Sequence, residues 1–156
     1  MNRRFQALIG FVCAIGAFAV AAQTHPDFSG LWEQNMEKSS KTSLQSYANR
    51  IEQKGDSVTV TTILSGSHGE SSYDRAYVIG KESHSNDKEG DQLTSIVRWE
   101  GQSLVFLTTE KEKAGTIETR ETWSLSADGK TLTKVRTSHG PRGDMEQRYI
   151  LDKSTP

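Results

Sequence analysis

Two charged residues draw attention through where they fall. Glu121 shares one side of an alternating stretch with Ile117, Thr119, Trp123 and Leu125. Arg136 shares one side of the next stretch with Leu132 and Lys134. Each lies seven residues outside the Asp128-Gly129 turn, so antiparallel pairing sets them opposite each other. Charges on an apolar face are costly unless paired and hydrogen-bonded. Two roles fit such a pair. It can be a polar anchor for a ligand carboxylate or hydroxyl, or a structural ion pair whose members satisfy only each other. Both require Lys134 and Arg136 to point inward. If they face solvent, neither role holds.

The other chemistry-bearing residues give weaker signals. Trp32, Trp99 and Trp123 fall on inward faces, where they either fill an interior or line a cavity. Trp32 reads as core. The candidate lining set is Trp99, Phe106, Glu121, Trp123, Arg136 and Tyr149. Glycosidase chemistry needs two carboxyls at a set separation, and the pattern offers no second inward acid beside Glu121. His25, His68, His84 and His139 are scattered over the N-terminus and predicted loops, with no i, i+2 or i, i+4 pair of the kind zinc sites use. Ser65-Gly66-Ser67-His68-Gly69 is not a Gly-x-Ser-x-Gly elbow and reads as a turn. Gly140-Pro141-Arg142-Gly143 is also a turn, since no helix follows it to hold a phosphate. No catalytic residue, metal site or cofactor is expected, and a binder is favoured over an enzyme.

The elements that must position these residues are strands. Turn signals recur at a regular beat: Lys54-Gly55-Asp56, Ser65-Gly66, Ile79-Gly80, Glu100-Gly101, Ala114-Gly115, Asp128-Gly129 and Gly140 to Gly143. Between them lie short runs of Thr, Val, Ile and aromatics, the mark of an all-β sandwich or barrel. The three prolines sit at ends or turns, so none interrupts a strand. Nine strands are predicted, at 28–35, 49–54, 57–65, 72–79, 93–99, 103–110, 115–125, 130–137 and 145–152. Alternation puts Leu93, Val97 and Trp99 on one face and Thr94, Ile96 and Arg98 on the other. Residues 36–48 read as a loop or short helix across one mouth. Residues 80–92 read as a charged, solvated loop.

The N-terminus reads separately. Arg3 and Arg4 precede an apolar run from Ala7 to Ala22, with small residues at Ala19-Val20-Ala21. This is the form of a secretory signal peptide, and the run is short for a membrane span. The expectation is a cleaved segment 1–21, a mature domain 22–156, and a secreted or periplasmic location without stable membrane insertion. Cleavage removes Cys13, the one cysteine, so apolar burial must hold the domain without disulfides. It also lowers Lys+Arg from 19 to 17 against 20 Asp+Glu, a net charge of −3. That surface gives no reason to expect nucleic acid as a partner.

Phe28-Ser29-Gly30-Leu31-Trp32 resembles the Gly-x-Trp opening of lipocalins. Together with Ile51-Glu52-Gln53, Arg98-Trp99-Glu100-Gly101 and the stretch from Glu121 to Leu132, it resembles small exported bacterial lipocalin-like proteins, many from Acidobacteria. The resemblance implies a calycin-type, single antiparallel up-and-down β-barrel of about 8–10 strands, and carriage of a small, mainly apolar ligand. It also implies a late Arg packed on the first Trp, for which Arg136 and Arg148 are candidates. The alternative is a filled barrel serving as an envelope protein-interaction or inhibitor module through the 36–48 and 80–92 loops.

Overall fold

The beat of turns is realised as ten antiparallel strands. The computed structural model describes residues 24–86 and 90–154. Its strands are β1 (Gly30–Gln34), β2 (Ser46–Lys54), β3 (Ser57–Gly66), β4 (Gly69–Val78), β5 (Glu82–Asn86), β6 (Gln92–Glu100), β7 (Ser103–Glu112), β8 (Gly115–Leu125), β9 (Thr131–His139) and β10 (Met145–Ser154). They form one sheet in the order β4-β3-β2-β1-β10-β9-β8-β7-β6-β5. Only the β1–β10 pairing joins strands distant in sequence, so the fold is an up-and-down meander whose first and last strands meet. The two sheet edges, β4 and β5, are consecutive strands, and their approach nearly closes a barrel. Gly80 donates its N–H to the Val97 carbonyl at 2.7 Å, which pins the β4–β5 turn onto β6. Beyond that turn β4 and β5 share no hydrogen-bond ladder among the described residues.

One end of the barrel is solid. Phe28, Trp32, Ile51, Val58, Leu104, Leu132 and Leu151 are buried together there. The Trp32 indole N–H donates to the Phe28 carbonyl at 2.8 Å. Phe28 in turn packs on Trp99 and Trp123, each at a centroid distance of 6.0 Å. The glycine of Gly-x-Trp has a physical cause. Gly30 adopts φ +141°, and a Cβ there would stand 2.7 Å from Cε of Lys153. The Lys153 ammonium lies 5.1 Å over the Trp32 ring, a cation–π contact, and the register sets Lys153 opposite Trp32. The cation on the first Trp is therefore Lys153, and not Arg136 or Arg148.

Three segments differ from their sequence reading. Residues 82–86 form β5 inside the stretch read as a loop. Glu-Ser-His-Ser-Asn has no β-branched or aromatic residue, so it carries no strand signal, and it pairs on one side only, with β6. Residues 36–48 form no helix, and the last three of them belong to β2. The segment begins as a turn beside β10, with the Asn35 and Ser40 N–H groups donating to the Ile150 and Arg148 carbonyls, both at 2.7 Å, and it then reaches β3, where the Gln45 N–H donates to the Ser65 carbonyl at 2.8 Å. Ser39 Oγ accepts from the Ile150 N–H at 2.9 Å. β2 and β4 each start three residues earlier than predicted, at Ser46 and Gly69. Segment 1–21 lies outside the described residues.

Candidate ligand-binding site

The β8–β9 hairpin builds one wall of the site. Its turn is held by Asp128, whose carboxylate accepts from Ser126 Oγ at 2.6 Å and from the Lys130 N–H at 3.1 Å. Gly129 takes φ +67° there, as a tight hairpin turn demands. The register follows: Trp123 opposes Lys134, and Glu121 opposes Arg136. All four side chains point inward.

The ion pair differs from the one the alignment suggests. Glu121 bonds diagonally to Lys134, with Oε1 3.2 Å from Nζ. The same oxygen accepts from the Trp123 indole N–H. Lys134 is 5% exposed and Glu121 19%, so this is a buried pair. An ammonium has three donors, and each is used here. The other two go to Tyr47 Oη at 2.9 Å and Asn49 Oδ1 at 3.0 Å, both on β2. Asn49 passes the network on to Thr62 Oγ1 on β3 at 3.1 Å. Lys134 also lies 4.6 Å over the Trp123 ring. Burial opposes ionisation of Glu121, but Lys134, the Trp123 bond and nearby Arg136 outweigh it and hold the carboxyl below its ordinary range. Burial likewise opposes the Lys134 charge, and Glu121 and Tyr47 overcome it and push its pKa up.

Arg136 is placed differently. Its Nε is buried and has no hydrogen-bond partner. Gln34, two residues beyond Trp32 on β1 and so on the same face, buries both amide atoms without a partner. Buried polar groups of this kind call for a water or a ligand.

The hairpin faces a cavity of about 140 Å³. Five of the six residues singled out from sequence line it: Phe106, Glu121, Trp123, Arg136 and Tyr149. Trp99 does not. Its ring is stacked on His25, with centroids 4.1 Å apart and planes 4° apart, so it belongs to the solid end. Tyr47, Tyr73, Arg75, Tyr77, Glu110 and Lys134 also line the cavity. The signal for three of these was present as the alternation Tyr73-x-Arg75-x-Tyr77 on β4. Tyr47 fell in the stretch read as a loop. Glu110 supplies the second inward acid that the pattern had not offered; it follows Leu104, Phe106 and Thr108 along one face of β7.

The aromatic walls pair among themselves. Tyr47 and Tyr149 stack at 5.5 Å, and Phe106 meets Trp123 at 4.3 Å and Tyr77 edge-on at 5.2 Å. Burial pushes the Tyr77 and Tyr149 hydroxyls up, so both stay protonated at neutral pH. The Ser67-His68 stretch is a two-residue hairpin between Gly66 and Gly69, as read. Ser67 Oγ stands 3.0 Å from His68 Nδ1 in an exposed position away from the cavity.

The fold is a nearly closed, ten-stranded, up-and-down β-barrel of lipocalin-like architecture around a small cavity. No protein-family model and no curated protein matches the chain. Solved structures share its fold. One is the REP1-NXSQ fatty acid transporter, at 12% identity and a TM-score of 0.61, covering 83% of this chain and 97% of that one. Another is secretory abundant heat soluble protein 4 from Ramazzottius varieornatus, at 17% identity and a TM-score of 0.63, covering 86% and 100%. A third is the zebrafish ileal bile acid-binding protein complexed with cholic acid, at 21% identity and a TM-score of 0.57, covering 81% and 98%. At such identities the likeness is one of fold.

Proposed function

We propose that the protein is an exported binder that carries a small organic molecule in its barrel, with the molecule's anionic or polar end at Arg136 and its apolar body against Phe106, Trp123 and Tyr149. The observation that carries this reading is the contrast between the two inward cations of β9. Lys134 spends its three donors on the protein, whereas Arg136 presents a buried donor that nothing in the protein meets. The cavity wall holds three cations, Arg75, Lys134 and Arg136, against two carboxylates, Glu110 and Glu121. That excess favours an anion. Two fold neighbours are described with acids, a fatty acid and cholic acid, which supports the same chemistry.

The charge states of the inward ion pair support a binding role. Glu121 stays ionised and Lys134 stays protonated, so neither is poised to exchange a proton at neutral pH. A filled scaffold acting through its loops would have a solid interior; the cavity favours the binder.

Native mass spectrometry of the exported protein tests the reading. The predicted result is a mature chain beginning at Ala22 that carries a small non-covalent adduct, and loss of the adduct in Arg136→Met. A mature chain that never carries an adduct, together with one stoichiometric protein partner from the envelope, would overturn it in favour of the scaffold.

A further inference from the structure

The size and walls of the cavity narrow the ligand class, given the reading of Arg136 as its anchor. A cavity of about 150 Å³ with apolar walls accepts benzene, whereas pockets for drug-sized ligands begin at about 300 Å³. The barrel offers about 140 Å³. Long acyl chains and fused-ring bodies exceed that space; a single ring fits it. The walls favour a ring as well. Tyr47, Tyr73, Tyr77, Phe106, Trp123 and Tyr149 surround the space, so a flat guest meets ring faces and edges from several strands. Arg136, whose buried Nε has no partner, also lines this space. Arg75, on β4 across the barrel, lies 5.2 Å over the Tyr73 ring and adds a further cation to the wall beside Arg136 and Lys134. A guanidinium takes a planar carboxylate through two parallel bonds, which a compact aromatic acid supplies without a long tail.

We infer that the barrel selects single-ring aromatic carboxylates, of the size of benzoate, over long-chain fatty acids and bile acids. Ring and carboxylate would be held together, the ring beside Trp123 and the carboxylate at Arg136.

Titration of the mature protein with benzoate, decanoate, palmitate and cholate, followed by tryptophan fluorescence and calorimetry, tests this. Benzoate is predicted to saturate one site and to quench a signal that Trp123→Phe removes. Palmitate and cholate are predicted to bind at least tenfold more weakly. Arg136→Met should weaken benzoate by at least about tenfold, the loss of a charge-assisted bond, and Arg136→Lys should restore part of that. Tighter binding of palmitate or cholate than of benzoate would overturn the inference and leave the anionic-ligand reading standing. Failure of all four acids to bind would overturn both. The acid comparison uses the unmodified chain, so it does not depend on any variant folding.

Discussion

Lys134 and Arg136 sit two residues apart on one face of β9, yet they do different work, and mutations should separate them. Lys134→Met leaves the Glu121 carboxylate buried without its ion-pair partner. Stranding such a charge costs about 3–5 kcal/mol. Lys134→Met combined with Glu121→Gln should therefore unfold at higher urea than Lys134→Met alone. The pair also sets a pH dependence. Glu121 is held below its unfolded value, so its stabilisation is full above about pH 4.5 and is lost as the pH falls through its folded value. Lys134 is held above its unfolded value, so its share is full below about pH 10 and declines only above that. Urea midpoints measured from pH 7 to pH 3 should fall steeply at the acid end, and Glu121→Gln should flatten that fall. Gly30 supports the opposite end of the barrel. Gly30→Ala puts a side chain at φ +141° and pushes Lys153 off Trp32, at a cost of about 1–3 kcal/mol that thermal denaturation would register. At this scale the sequence was half legible. The symmetric placement about Asp128-Gly129 aligned Glu121 with Arg136. The partners of Lys134 were hidden because Tyr47 and Asn49 lie 87 and 85 residues away on β2.

Strands with β-branched and aromatic alternation announced themselves, and strands made by context did not. β8 and β9 carry both the pattern and the turn chemistry, so their faces and register were readable. β5 is a strand because β6 offers it an edge, and five polar residues gave no sign of that. The seam between β4 and β5 is the weak line of the barrel, since among the described residues no ladder joins the two strands. Amide hydrogen exchange should show it. The amides of β5 and the unpaired edge of β4 should exchange well before those of β7, β8 and β9, each paired on both sides. Equal protection of β5 and β8 would mean that the seam is sealed.

For the whole molecule, regular turns indicated an all-β sandwich or barrel, and the resemblance to lipocalins implied the up-and-down form, in which each strand pairs with its neighbour in sequence apart from the closing β1–β10 pair. The interior volume was not legible. It depends on how far the side chains of all ten strands reach inward, and four tyrosines and two arginines reach far enough here to leave a small polar space. A ligand in that space should stabilise the fold by mass action, about 2.7 kcal/mol at a hundredfold excess over its dissociation constant, seen as a rise in melting temperature. The most direct test of an interior anion site is a set of isotope-filtered nuclear Overhauser contacts from bound benzoate or decanoate, whichever saturates the protein. The site described above predicts contacts to the rings of Trp123, Phe106 and Tyr149 and none to Trp99. Contacts confined to the outer surface or to the 36–48 segment would contradict it.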